Sequence, residues 1–406
     1  MNCRICGHND FGEVIDLGDM PLVNNLLLRE DEAAPTWPLH VVFCRNCSLA
    51  QLTEAPPPAD MFDTYLYFSS QSQTMIEHAG HLVDTYVQPG DHVLEIASND
   101  GYLLHQAKQR GAHVQGVDPA RNVAAFASSR GIPTHCAYFD ADVARSIVGR
   151  SGQADVVFAN NVLAHLPDPN PFVEGIRLAL APSGRAHIEV PYVVDLIENL
   201  AFDTIYHEHQ SYYSVTALHR LFEQHDLAIV NVQRIPIHGG SLHVQIAHSN
   251  EHAPYSEFVN QEPEKRLFTD SYYNTFTDRV RELKIQLHDV MNKYKTWGAY
   301  GAAAKGVILL NYFELDRNSI PWVVDISPHK QRRFVPGTRQ PIVPPSHLLA
   351  EQPEACLLLP WNIASEICRQ NTTYLDRGGR FLVPVPHVHM LDNLNDRNAL
   401  PVCHAN

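Results

Sequence analysis

Four cysteines near the N-terminus, Cys3 and Cys6 in NCRICG and Cys44 and Cys47 in FCRNCS, form two Cys-x-x-Cys pairs. Each pair presents two thiolates from one tight turn. Two such turns complete the tetrahedral sulfur shell that zinc prefers, with no coordination position left for a substrate. The spacing predicts a structural zinc that fixes a small loop-rich unit, so the chemistry lies further along the chain. Disulfides fit poorly, because no N-terminal signal peptide is visible and 8 cysteines in 406 residues is not the density of a secreted scaffold. A redox pair would open a helix in a thioredoxin-like unit and would not come twice. Cys136, Cys356, Cys368 and Cys403 are scattered and read as structural or incidental.

A second concentration of reactive side chains is IYHEHQSYYS (205–214). Two histidines, a carboxylate and a tyrosine within four residues can supply a general base near neutral pH, an orienting acceptor and a phenolic donor. Metal binding is the rival, but a His-x-His pair with one Glu lacks a third ligand. A polar loop accounts for the same residues equally well. The third feature is VLEIASNDGYLL, a strand, a small-residue turn and a helix start whose backbone N–H groups can face a ligand. Asp118 closes the next strand, where an acid can accept hydrogen bonds from the two hydroxyls of a ribose, as in adenosine-containing cofactors. The turn departs from the glycine patterns GxGxxG and GxGxG. Gly101 alone is kept, with Ala97, Ser98, Asn99 and Asp100 in the other positions, and a plain βα turn is the alternative.

These residues need a frame, and the hydrophobic pattern supplies one. HVLEIA (92–97), HVQGVD (113–118), ADVVFAN (154–160) and RAHIEVP (185–191) read as short buried strands separated by helical segments. That alternation predicts a parallel sheet covered on both faces. LAIVNVQRIP (227–236) and SLHVQIAH (241–248), joined by a turn, resemble a closing antiparallel pair. From about residue 264 one long polar helix follows, then a second α/β series in TWGAYGAAAKGVILLNYF, IPWVVDIS, ACLLLPW and RFLVPVP. EAPPPAD (54–60) is a proline-rich connector.

Composition narrows the function. A chain of 406 residues suggests two or three domains. The formal net charge of -15, with only 30 Lys and Arg, argues against a general nucleic-acid binder, which needs a basic face. No apolar run reaches the length of a membrane-spanning helix, so a soluble, cytoplasmic protein without a membrane partner is expected. Most of the 24 histidines read as surface or packed residues.

Taken in order, CRICG…FCRNCSLAQL, LEIASNDGYLL, GVDPARNVA, NNVLAHLPD, YHEHQSYYS, GGSLHV, GAAAKGVILLNY, PGTRQPI and LPWN span nearly the whole chain. The sequence resembles the zinc-containing, S-adenosylmethionine-dependent sugar C-methyltransferases, which methylate C-3 of dTDP-linked 4-keto-deoxysugars in the biosynthesis of branched sugars. The resemblance implies an α/β protein with an N-terminal zinc-binding domain (1–75), a central class I, Rossmann-like methyltransferase domain (76–255) and a C-terminal Rossmann-like domain (256–406). It implies S-adenosylmethionine and structural Zn2+ as cofactors and a dTDP-linked nucleotide sugar as the small-molecule partner.

Carried onto this sequence, the resemblance makes His209 the base, with Tyr206 and Glu208 beside it and His165 as a second active-site histidine. Ala97, Asn99, Asp100, Asp118 and Pro119 fall on the cofactor side, with Asn160 and Asn161 near the reacting methyl. Ala97 stands where the family usually carries glycine. Tyr65 or Tyr67 matches a substrate-facing tyrosine. Lys305 in GAYGAAAKG is read as a cation for the nucleotide diphosphate, and Arg339 in PGTRQP as a second, although a helix start with a solvated lysine explains the first motif too. The alternatives are a methyltransferase for another small metabolite, or a non-catalytic zinc-ribbon interaction protein.

Overall fold

The computed structural model describes residues 1–57, 68–249, 262 and 266–391, and the counts below refer to these. The N-terminal unit is built on β1 (Phe11–Pro21), β2 (Thr36–Cys44) and β3 (Ala50–Leu52), all antiparallel. Alternation in β1 buries Val14, Ile15, Leu17 and Met20 and leaves acids between them at the surface. The turn between β2 and β3 carries Cys44 and Cys47. It is closed by Cys44 N–H donating to the Leu49 carbonyl (2.8 Å) and Ser48 N–H donating to the Cys44 carbonyl (2.9 Å).

The central sheet contains β4 (His92–Ile96), β5 (His113–Val117), β6 (Thr134–His135), β7 (Ala154–Asn160) and β8 (Leu180–Pro191), all mutually parallel. Next in the chain, β9 (Ser211–Tyr212) leaves this sheet and pairs with β3, stitching the central unit to the N-terminal one. β10 (Leu227–Ile235) and β11 (Ser241–His248) return as the antiparallel pair expected from the sequence, giving the order β10-β11-β8-β7-β4-β5-β6. β6 has two residues and too little pattern to be read from the sequence. Helices cover both faces and start on local caps, Ser72 accepting from Met75 N–H (3.3 Å) and Asp140 from Asp142 and Val143 N–H (both 2.9 Å).

The long helix Asp270–Met291 buries Tyr273, Phe276, Val280, Leu283, Leu287 and Met291, the 3-and-4 spacing of one apolar stripe. It lies against β1: Tyr273 stacks on Phe43 at 4.4 Å between ring centres, and Thr277 donates to the Val14 carbonyl (2.9 Å). The C-terminal sheet follows as β12 (Trp297–Tyr300), β13 (Val323–Val324), β14 (Ile342–Val343), β15 (Ala355–Leu358), β16 (Arg380–Val383) and β17 (His389–Leu391), in the order β14-β13-β12-β15-β16-β17. Its strands are parallel except β17. One continuous apolar core runs from Cys3 through the central sheet to Leu391, so the three units share an interior. No helix among the described residues is long and apolar enough to cross a membrane.

Candidate active site

The turn after β4 is wound tightly. Ala97, Asn99 and Gly101 all have positive φ (58°, 49° and 78°), which brings successive backbone N–H groups to one side. A Cβ at Gly101 would sit 3.3 Å from Ala127 and Ile132, a tight contact, at a φ of +78° that strains any residue with a side chain. Asp118, at the end of β5, locks the turn: Oδ2 accepts from Asn99 N–H (2.8 Å) and Oδ1 from Ala120 N–H (2.9 Å). Burial raises the Asp118 pKa, and nearby Asp100 adds to the rise. Each carboxylate oxygen keeps a second lone pair for hydroxyl donors. Asn99 Oδ1 accepts from Asp100 N–H (2.9 Å) and Ser69 N–H (3.0 Å), which draws the segment before the helix Gln73–Tyr86 over the turn.

Above the carboxyl ends of β4, β5 and β7 lies a cavity of about 410 Å³. Ala97, Asn99, Asp118, Pro119, Asn160, Asn161 and His165 line it; Asp100 is buried and does not. Both amide atoms of Asn160 and Oδ1 of Asn161 are buried without a hydrogen-bond partner in the protein. Buried amides without partners carry an energetic cost that a polar ligand would remove, and apolar Met75, Phe139 and Phe172 offer a surface for a flat ring. The donors and acceptors therefore fit S-adenosylmethionine. Sequence reasoning missed Glu95, Ser69, Met75, Tyr138 and Phe139, which also line the cavity. Glu95 left a signal, as a lone acid inside the apolar run HVLEIA. Burial, with the charges of Asp118 and Asp100, pushes its pKa well above the ordinary carboxylate range.

The loop 202–214 brings the second constellation up to His165 on the cavity wall. His209 Nδ1 is 2.8 Å from the Thr204 carbonyl, which only accepts, so Nδ1 carries a proton and, in the neutral ring, Nε2 keeps its lone pair. The Tyr206 hydroxyl therefore donates to Nε2, at 3.0 Å. The His165 ring, on the cavity wall, lies edge-on to His209 with 4.9 Å between centres. This contact joins the two motifs. Glu208 points the other way and accepts from Asn24 of the N-terminal unit (2.5 Å); burial pushes its pKa up to about 7. His207 donates from Nε2 to the Trp37 carbonyl (3.2 Å), and burial lowers its pKa.

The remaining residues singled out from the sequence lie off the cavity. Lys305 donates to Asn362 Oδ1 (2.9 Å) and sits 4.2 Å above the Trp361 ring centre. Arg339 Nη1 donates to the carbonyls of Glu30 and Glu32 in the N-terminal unit, which ties the approach to β14 to the first unit. Tyr65 and Tyr67 lie outside the described residues, as does Cys403.

The four N-terminal thiols converge as their spacing requires. Their sulfurs lie within 4.8 Å of one another, with Cys3 to Cys47 at 3.5 Å and Cys6 to Cys44 at 3.6 Å, close to the roughly 3.8 Å edge of a tetrahedral Zn–S4 site. Among the described residues this is the only such grouping of ligands, and the histidines of 207–209 take no part in one.

A mixed sheet of this order, an acid at the end of its second strand and a cavity over the strand ends define a class I methyltransferase fold using S-adenosylmethionine, here with an N-terminal structural zinc unit. Family descriptions match in chain order: a zinc binding domain over residues 3–62, a methyltransferase domain over 68–232 and a C-methyltransferase C-terminal domain over 236–386. C-methyltransferase NovU of Streptomyces niveus is 38% identical over 404 residues, covering 96% of each chain. The chain belongs to the C-methyltransferase family that includes it. The ubiquinone biosynthesis O-methyltransferase of Acinetobacter baylyi is 28% identical over 112 residues, 27% of this chain and 44% of that protein. Among solved structures, the PH0226 protein of Pyrococcus horikoshii matches at a TM-score of 0.38 and 18% identity, over 47% of this chain and 98% of its own.

Proposed function

We propose that this C-methyltransferase acts at C-3 of a dTDP-linked 4-keto-deoxysugar, with His209 as general base. The observation that carries the reading is the fixed tautomer of His209, whose Nε2 lone pair stands beside a tyrosine hydroxyl and a cavity-wall histidine. Methylation at carbon needs a carbanion equivalent, and a 4-keto group acidifies the neighbouring C-3 hydrogen. The Tyr206 hydroxyl turns from Nε2 to the 4-keto oxygen of the bound sugar, which releases the Nε2 lone pair; Nε2 then takes the C-3 proton, and the electron pair of the C–H bond moves into the enolate. Tyr206 donates to the enolate oxygen as its charge develops, and His165 can donate to the same atom. The cofactor, when bound, supplies the electrophilic methyl that C-3 attacks.

Asp118 holds the ribose in this reading, Ala97, Asn99, Asp100 and Pro119 shape the turn around the cofactor, and Asn160 and Asn161 face its reactive end. Glu208 holds sugar hydroxyls or keeps the loop against Asn24. Lys305 is assigned to the nucleotide diphosphate, and one of Tyr65 and Tyr67 to the sugar. Arg339 is assigned to the same diphosphate as a second cation, with its Nη1 held by the carbonyls of Glu30 and Glu32. The three sheets support a division into 1–75, 76–255 and 256–406.

The test offers dTDP-4-keto-sugars with the methyl donor and follows the gain of one methyl group by mass spectrometry. In deuterated water with S-adenosylhomocysteine, wild type exchanges the C-3 hydrogen and His209→Asn does not. Methylation at oxygen without exchange would overturn the reading.

A further inference from the structure

We propose that Asp203 and Trp361 are positioning residues for the base: the C-terminal unit, through an indole-carboxylate hydrogen bond, holds the backbone carbonyl that sets the His209 tautomer. The inference rests on His209 being the base. Thr204, whose carbonyl receives the His209 Nδ1 proton at 2.8 Å, ends the short turn Phe202–Thr204. That turn is held by the C-terminal unit at Phe202 and at Asp203. Phe202 packs against the rings of Tyr312 and Phe313, at 5.5 and 5.0 Å between centres. Asp203 itself is fully buried, and its Oδ2 accepts from the Trp361 indole N–H at 2.7 Å, across 158 residues of sequence.

A carboxyl in this position is costly unless it has a specific use. Its Oδ1 has no hydrogen-bond partner, and burial pushes the pKa up to about 6 even with the Lys305 charge nearby. An apolar pair of the same shape would fill the space at less cost. What such a pair lacks is direction. A hydrogen bond to an indole fixes the rotation of the turn, and with it the line from the Thr204 carbonyl to Nδ1. Lys305 caps the outer face of the same indole, 4.2 Å from the ring centre, so the group assigned to the substrate diphosphate rests on the residue that orients the base.

Trp361→Phe keeps the ring and removes the N–H. The expected result is a kcat lower by about 10–100-fold, the cost of misplacing a reacting group, with cofactor affinity and nucleotide-sugar KM within threefold of wild type. The acid limb of the pH–kcat profile moves to lower pH, because a His209 that loses its acceptor is a weaker base. Asp203→Leu reproduces this loss and Asp203→Asn, which keeps an acceptor for the indole, loses less. A folded Trp361→Phe with wild-type kcat and an unmoved acid limb overturns the proposal; if that variant does not fold, an Asp203→Leu enzyme as active as Asp203→Asn overturns it. The His209→Asn exchange assay keeps the two readings apart. Exchange that survives in His209→Asn removes the base, whereas exchange lost there but untouched in Trp361→Phe removes only the positioning role.

Discussion

The central and C-terminal α/β units lock their first turn in the same way and put it to different uses. In the central unit Asp118 takes Asn99 N–H on Oδ2 and Ala120 N–H on Oδ1, at 2.8 and 2.9 Å. In the C-terminal unit Asp325 takes Ala302 N–H on Oδ2 and Ser327 N–H on Oδ1, both at 2.8 Å. Each turn contains a glycine of positive φ, Gly101 at 78° and Gly301 at 88°. The difference lies beyond the carboxylate. Asp118 opens on the 410 Å³ cavity, whereas Lys330 reaches over the C-terminal turn, donates to the Ala302 carbonyl (2.8 Å) and stands 3.8 Å from Asp325 Oδ2. An acid at the end of the second strand is thus a device for closing a βα turn. It becomes part of a ligand site only where the neighbouring side chains leave room.

The largest effect is expected from removing the unit that touches both halves of this comparison. The double replacement Cys44→Ser, Cys47→Ser should eliminate bound zinc by metal analysis and abolish turnover, because β9 pairs with β3 and Asn24 holds Glu208. Cofactor affinity should stay within a few-fold, since the cavity is lined by residues between Ser69 and Phe172 only. Loss of cofactor binding in step with zinc would show that the central unit cannot keep its site alone.

Next in size is the direct contrast of the two acids. Asp118→Ala should weaken S-adenosylmethionine binding by about 1.5–3 kcal/mol, roughly 10–150-fold, in a calorimetric titration. Asp325→Ala should leave that affinity unchanged and lower thermal stability instead, by about 1–3 kcal/mol, because two backbone N–H groups lose their acceptor. Equal loss of affinity in both variants would break the comparison.

The third prediction concerns pH. Glu208 is buried with its pKa pushed up from 4.5 to about 7, so the folded state binds its proton more tightly than the unfolded chain does. Its contribution to stability is full below the unfolded pKa and is lost as pH rises from about 4.5 toward 7, at up to about 1.4 kcal/mol per pH unit. Glu208→Gln should remove that slope from the difference between denaturation curves taken at pH 4.5 and 7. A variant with an unchanged slope would place the titration on another group.

The smallest effect is expected at the covering lysine. Lys330→Met gives up a hydrogen bond that is partly solvated and should cost only about 1 kcal/mol. Cofactor stoichiometry should remain one per chain. A second equivalent bound by Lys330→Met would mean that this lysine alone separates the two units.

Much of this was legible in the chain because it rests on short-range spacing. The four thiols converge as the two Cys-x-x-Cys pairs require. The strands at 92–97, 113–118, 154–160 and 185–191 all form, and Asp118 ends its strand facing the turn. The contact of Arg339 with the carbonyls of Glu30 and Glu32 was not legible, because an arginine after a glycine turn carries no local sign of partners that lie some 300 residues away. Glu262 left no local sign of its role, yet it caps the helix Val215–Glu223 by accepting from Val215 and Thr216 N–H at 2.6 and 2.7 Å.

The sequence by itself determined the kinds of site: a sulfur cage, an acid at a strand end and a histidine-tyrosine loop, since residue type and local spacing decide which atoms can donate, accept or ligate. Only the tertiary structure decided how these meet. It put His165 beside His209, turned Glu208 to Asn24, tied Asp203 to Trp361, and left a cavity over one acid while laying a lysine over the other. The physical reason is that hydrogen bonds and ring contacts act over a few ångströms of space, and the residues that share those ångströms here come from units whose order in the chain says nothing of which faces touch.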